Sequence, residues 1–321
     1  MSYDGNKDGR RSVRWTGLAL ALGAVLAFWV WNRGGEVESV LEARSGRPLA
    51  DVQSWHYQLT DLDLDTLAAV DADLIVTEHG GADDGTAWGA RQVARLKARP
   101  DGRKRLALAY FSGGAAEGYR FYWKPEWSDG DKPDWLGAEN CAWPRNYMVR
   151  FWEPGWKSIV YGGRNSYLQR VIAAGFDGVY LDRVDIYTNF EKERPSAKDE
   201  MVQFVAGIAE AGRQAKPGFI VVAQNGEDLL GDESYRDVID GLGKEDLLFG
   251  QKGTNTRNAS RAIGDNLARI RLLQEDRKTI LAVEYVTEPA LIAESRAELL
   301  RLGFVPTNAH RTLDGRPPNE P

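Results

Sequence analysis

The chain has 321 residues, of which 43% are hydrophobic and 27% charged; this excludes a disordered chain and supplies apolar surface for a large core. Its length fits two domains, or one α/β barrel of roughly 250 residues with additions. The formal charge is −6, and the first 33 residues carry five basic against two acidic side chains, leaving −9 beyond them, so a phosphate backbone would be repelled and nucleic acid is excluded as a partner.

Residues 15–31, WTGLALALGAVLAFWVW, are apolar apart from Thr16 and follow the basic run GRRSVR, the layout of a signal anchor or signal peptide. No small-residue cleavage signal closes the segment, and Trp29 and Trp31 suit a membrane interface, which favours an anchor over residues 1–33. The basic flank on its N-terminal side places the rest of the chain outside the cytoplasm, membrane-anchored or secreted. Residues 34–52 are polar and Gly-containing and read as a linker.

From residue 53 to 310, short apolar runs alternate with helical patterns. The expected strands are His56–Leu59, Leu74–Glu78, Leu106–Ser112, Gly178–Asp182, Phe219–Asn225, Ile239–Leu242, Ile280–Val286 and Phe304–Thr307. Expected helices are Leu62–Val70, Trp88–Arg99, Tyr167–Ala174, Ala197–Ala215, Ser234–Val238, Arg261–Gln274 and Ala290–Arg301. Eight βα units predict a (β/α)8 TIM-like barrel. The Pro-rich end leaves no room for a last helix, and 311–321 read as a tail. After the third strand, Gly113–Arg164 form a 52-residue insertion, and loops of that size are usually functional.

Chemistry in such a barrel sits at the C-terminal ends of its strands, and acids recur there. Strand two ends in Glu78-His79, strand four in Asp182 with Asp185 beyond, strand five in Gln224-Asn225 with Glu227 beyond; strand six runs into Glu245, and strand seven carries Glu284-Tyr285. Asp177, which precedes strand four, belongs to the opposite end. No Gly-x-Ser-x-Gly elbow, nucleotide-binding glycine motif or metal-ligand spacing among His56, His79 and His310 appears. Cys141 stands alone, which excludes an internal disulfide, so no metal and no cofactor is implied. Carboxylates around one cleft point to acid/base or nucleophilic carboxylate chemistry, and glycoside hydrolysis needs two of them, one protonated and one ionised.

The insertion holds Trp123, Trp127, Trp135, Trp143, Trp152 and Trp156, with Tyr119, Phe121, Tyr122, Tyr147 and Phe151. Exposed rings pack against sugar C–H faces, which makes Tyr119, Tyr122 and Trp123 candidate substrate contacts. About half of the rings are expected to form a satellite core that holds the loop. Nothing in the sequence specifies an oligomeric state.

The segments WHYQL, YRFYWKPEW, WLGAEN, WPRNYMVRFW, AGFDGVYLDRVD and VVAQNGEDLL, in this order from Trp55 to Val305, resemble the endo-α-1,4-polygalactosaminidases of glycoside hydrolase family 114. The resemblance implies a barrel that cuts inside α-1,4-linked, galactosamine-containing exopolysaccharide. It places the family's strand-four aspartate on Asp182, as nucleophile or charge-stabilising carboxylate, and its acid after strand five on Glu227, as general acid/base, with the reverse assignment open. The strand-seven acid falls on Glu284, expected with Glu78, His79, Asp185, Gln224, Asn225, Glu245 and Tyr285 to contact substrate. Two departures stand out: Ala115 replaces a family carboxylate in Gly113-Gly114-Ala115-Ala116-Glu117, and Glu78-His79 replaces Asp-Tyr. They define an alternative reading, a catalytically weak carbohydrate-binding barrel that has lost part of its active face.

Overall fold

The computed structural model describes residues 48–80, 87–127, 130–141 and 143–320. The apolar segment at 15–31 lies outside them, as does the linker up to Arg47; among the described residues no helix is long and apolar enough to cross a membrane.

Eight strands form one parallel sheet in chain order: β1 (Trp55–Gln58), β2 (Leu74–Thr77), β3 (Leu106–Ser112), β4 (Gly178–Asp182), β5 (Ile220–Gln224), β6 (Gly241–Glu245), β7 (Thr279–Glu284) and β8 (Val305–Asn308). The sheet curls into a nearly closed barrel. At the β8–β1 seam the Trp55 indole donates to the Val305 carbonyl at 2.9 Å, and the chain after β8 returns to bond β1: Leu59 and Thr60 N–H donate to the Leu313 carbonyl at 2.7 and 3.0 Å. Residues 311–315, expected as tail, thus help to close the wall. Leu49 and Val52, at the end of the expected linker, are buried with the interior side chains, because an open barrel floor would leave Trp55 and Leu281 wet.

Period-two alternation explains the barrel's two cores. Leu74, Val76, Leu108, Tyr180, Ile220, Val222, Leu281 and Val283 point inward and pack on one another. Ile75, Ala107, Val179, Leu181, Val221, Ala223, Ile280 and Ala282 point outward, under the helices. Those helices are α1 (Leu64–Ala69), α2 (Ala90–Leu96), α3 (Tyr167–Ala174), α4 (Ala197–Ala215), α5 (Glu233–Val238), α6 (Ser260–Glu275) and α7 (Pro289–Arg301). α4 buries Met201, Val202, Phe204, Val205, Ile208 and Ala209, an i, i+3/i+4 stripe facing the sheet. α3 starts where the Ser166 side chain accepts from Gln169 N–H and stops at left-handed Gly175, a paired capping signal.

The sixth strand differs from expectation: it runs Gly241–Glu245 rather than Ile239–Leu242. Its sequence, Gly-Leu-Gly-Lys-Glu, has little apolar signal because the interior there is filled by the Tyr180 ring from β4. A Cβ on Gly243 would lie 1.9 Å from the Tyr180 hydroxyl, so this position is held open for the phenol.

The insertion folds as a small antiparallel sheet in the order 115–117, 146–149, 136–139. Trp127, Trp135, Phe151, Trp152 and Trp156 are buried beneath it, with Trp135 edge-on to Trp127 at 5.1 Å and tilted on Trp156 at 5.1 Å. The Trp156 indole donates to the Gly113 carbonyl at 2.8 Å, which ties this satellite core to the end of β3. Trp143 stays 62% exposed.

Candidate active site

The last inward position of a barrel strand opens onto the barrel mouth, and parity selects it. Two residues beyond inward Val76, Leu108, Tyr180, Val222 and Val283 stand Glu78, Tyr110, Asp182, Gln224 and Tyr285; two beyond Gly243 stands Glu245. All six line one cleft of about 1120 Å³. Its outer wall comes from the insertion, with Glu117, Tyr119, Arg120, Phe121, Trp143 and Arg145, and from the returning tail with Arg311 and Leu313.

Asp182 and Glu245 are two of the carboxylates at the barrel mouth. Asp182 accepts from the Tyr110 hydroxyl at 2.7 Å and from its neighbour's backbone, Arg183 N–H, at 2.7 Å. Burial, and next the negative charge of Glu245, push its pKa up to about 7. Glu245 accepts from the Tyr285 hydroxyl and, at 3.1 Å, from the Asn225 amide. Gln224 accepts from the Tyr57 hydroxyl at 3.1 Å, which orients its amide at the cleft floor. Burial and the nearby negative charge of Glu245 thus favour the protonated form of Asp182, which can give or take a proton near neutral pH.

The other cleft acids are placed differently. Glu78 receives a bidentate pair from Arg120 at 2.6 and 2.8 Å, and the same guanidinium holds Glu117 through Nε at 2.6 Å. Burial raises the Glu78 pKa and Arg120 opposes it. Tyr119 donates its hydroxyl to Glu117. His79 contacts the Tyr167 hydroxyl at 2.9 Å, and burial, then the Arg120 and Arg170 charges, lower its pKa to about 4, so it is neutral at pH 7. Asp185 lies on a short 3-10 helix, Val184–Asn189, at the cleft edge. Ala115 also faces the cleft, from a short strand paired with Met148.

Thus Asp182, Glu78, His79, Tyr119, Asp185, Gln224, Asn225, Glu245 and Tyr285 come together as the sequence suggests. Four residues do not line the cleft. Glu227, expected as a catalytic carboxylate, lies past the strand in the 3-10 turn Glu227–Gly231, and its carboxylate pairs with Lys244 at 2.7 Å. Lys244 is an outward position of β6, so its ion pair sits behind the wall. Glu284 has the wrong parity: it is fully buried outside the barrel, accepts from Leu248 and Phe249 N–H at 2.8 and 3.1 Å, and has a pKa raised to about 7 by burial. Tyr122 turns its hydroxyl to Glu117 N–H at 2.9 Å and its ring edge-on to Trp156. Trp123 stacks on Tyr147 at 4.6 Å. Both belong to the satellite core.

Sequence reasoning passed over Tyr110, Glu117, Arg120 and Arg145. Tyr110 was legible by parity from Leu108; Arg120 lay inside the aromatic run YRFYW and carried no signal of its own. Among the described residues no group of three His, Cys, Asp or Glu side chains converges as a metal site requires.

The family model of glycoside hydrolase family GH114 matches residues 38–317. An uncharacterized protein of Deinococcus radiodurans is 36% identical over 276 residues, 85% of each chain. Two solved structures share the fold. One is Aspergillus fumigatus Ega3 in complex with galactosamine, at TM-score 0.60 and 18% identity over 82% of this chain and 93% of that one. The other is a single-residue variant of the glycoside hydrolase domain of PelA from Pseudomonas aeruginosa, at TM-score 0.63 and 19% identity over 82% and 96%. The chain therefore belongs to glycoside hydrolase family 114 and is a glycoside hydrolase.

Proposed function

We propose that the enzyme cuts inside galactosamine-containing polysaccharide with Asp182 and Glu245 as its two carboxylates. The observation that carries this reading is their shared placement: both occupy last inward positions, on β4 and β6, face one cleft, and are held by hydroxyl and amide donors. Hydrolysis of a glycosidic bond needs a proton for the leaving oxygen and a carboxylate for the anomeric carbon or its attacking water, and Asp182, with its pKa raised to about 7, supports the first of these roles beside the second carboxylate. Departure of the aglycone then develops positive charge on the ring, which the ionised partner stabilises.

The substrate class rests on charge and size. The cleft is lined by seven carboxylate residues against four arginines, a balance that attracts a cationic amino-sugar chain and repels an acidic one. Its volume exceeds the roughly 300–1,000 Å³ of a small-ligand site, which supports a polymer lying through it and internal cleavage. Ega3, which shares the fold, carries galactosamine in its crystal. The apolar run at 15–31 behind a basic flank supports action outside the cytoplasm, where such polymers are met.

Mass spectrometry of products from partly deacetylated α-1,4-galactosamine polymer tests the reading. Short oligomers from wild type, and none from Asp182→Asn or Glu245→Gln, are expected. Intact polymer with retained binding would instead favour a carbohydrate-binding barrel and make Ala115 the mark of lost catalysis.

A further inference from the structure

We infer that Glu227 and Lys244 are positioning residues that set the Glu245 carboxylate through the Asn225 amide, an inference that rests on Glu245 being one of the two reacting carboxylates. The chain of contacts is continuous. Glu227 holds the Lys244 ammonium at 2.7 Å; the ammonium donates to Asn225 Oδ1 at 3.2 Å; Asn225 Nδ2 donates to Glu245 Oε2 at 3.1 Å.

The amide has two orientations, and only one serves Glu245. With Nδ2 toward the carboxylate it donates a hydrogen bond; flipped, it would set a carbonyl oxygen against a carboxylate oxygen. Two donors fix the useful orientation by meeting Oδ1: the Lys244 ammonium and, at 3.2 Å, the backbone N–H of Glu245 itself. The charged donor is the stronger of the two. Lys244 is only 8% exposed, and Glu227 is its counter-ion at 2.7 Å; removing either partner would leave a buried charge unpaired.

The backbone supports the same arrangement. Asn225 and Gly226 both adopt left-handed conformations, φ 56° and 68°, which turn the Asn225 side chain back across β6 instead of onward along the chain. Asn tolerates that region better than most residues, and its N–H donates to the Gly243 carbonyl at 2.8 Å, anchoring the bend to the strand that carries Glu245. On its other sides Glu245 faces Tyr285, Tyr180, Tyr57, Asp182 and Asp246, the last paired with Arg311, so Lys244 is the cation on the Asn225 side.

Three variants of the full chain test this: Lys244→Met, the charge-free double variant Lys244→Met with Glu227→Gln, which leaves no unpaired buried charge and therefore folds, and Lys244→Arg as the conservative control. The Glu245 carboxyl is followed by ¹³C titration and assigned by its loss in Glu245→Gln. Its midpoint is expected to rise in Lys244→Met and in the double variant, and to stay near wild type in Lys244→Arg. On polymer, kcat is expected to fall roughly 10-fold with KM within about twofold. A folded double variant with an unchanged midpoint overturns the inference whatever the activity. A shifted midpoint in a protein that cuts no polymer would leave the positioning standing and remove the proposed reaction.

Discussion

Both ends of the barrel are ringed by acids, and the two rings are wired in opposite ways. At the N-terminal end, Asp73 accepts from Gln53 and Ser54 N–H at 3.0 and 3.1 Å and pairs with Arg99. Asp177 pairs with Lys97 at 2.6 Å and accepts from Ala107 N–H. Asp240 pairs with Arg213 at 2.9 Å and accepts from Val221 N–H at 2.8 Å. Each of these acids has a cation and a backbone donor at the start of a neighbouring strand, so each is a staple. At the C-terminal end Asp182 and Glu245 accept from hydroxyl and amide groups, and neither makes an ion pair with a described residue. An acid given a cation is used up in holding the fold; an acid left with neutral donors keeps its proton exchangeable. Glu78 and Glu117 fall between, in the cleft by position but clamped by Arg120.

The largest expected effect breaks the upper ring. Asp182→Asn and Glu245→Gln should each lower kcat by roughly 10²–10⁴ without loss of the cooperative unfolding transition. An aryl glycoside with a good leaving group separates the roles, because the variant lacking the acid keeps most of its activity on it. Wild-type polymer cleavage should decline as the pH passes about 7, where Asp182 loses its proton.

Stability carries the contrast further, with opposite signs at the two ends. The folded pKa of Asp182, about 7, lies above its ordinary 3.8, so the folded state binds that proton more tightly than the unfolded one. The associated stabilisation is complete below about pH 4 and is lost as pH rises through 7, a swing on the order of 4 kcal/mol. Asp182→Asn should therefore match wild type in urea unfolding near pH 4 and exceed it at pH 8. Asp240→Asn, which weakens a staple, should cost about 1–3 kcal/mol at pH 7 and leave kcat unchanged. A cost to stability from Asp182→Asn at pH 8 would make the upper ring structural and erase the distinction.

The fold was readable because short continuous apolar runs such as Leu74–Thr77 and Ile220–Gln224 mark strands buried on both faces, and because capping signals such as Ser166 and Gly175 bound the helices between them. The site was readable to the same depth as the strand register. Asp182 follows from Tyr180 by parity; Glu284 and Tyr285 were both expected in the cleft, and parity from Val283 admits only Tyr285. Glu245 was recognised as a cleft residue, although Gly241 and Gly243 hide the strand that presents it. Glu227 was expected as a catalytic carboxylate because an acid after Gln224-Asn225-Gly226 stands where a barrel mouth should be; its carboxylate pairs with Lys244 and does not line the cleft. The two left-handed residues that turn it away, Asn225 and Gly226, leave little trace in composition. Arg120 could not be read at all: its meaning lies in two carboxylates, one from the end of β2 and one from the insertion, that only the tertiary fold brings to it.

The smallest expected effect concerns the insertion, where the same residue type serves both ends of the argument. Trp156 is buried, edge-on to Tyr122, and bonded to Gly113; Trp143 stands 62% exposed on the cleft rim. A core indole is fixed by what it excludes from water, and a rim indole by what it is left to meet. Trp143→Ala should leave unfolding within about 0.5 kcal/mol of wild type while raising KM for long polymer roughly threefold to tenfold, the scale of one stacking contact of roughly 0.5–1.5 kcal/mol. Hydrolysis of the aryl glycoside, which does not reach the rim, should be unchanged. An equal loss on both substrates would place Trp143 with the satellite core, as a ring that holds the wall and meets no sugar.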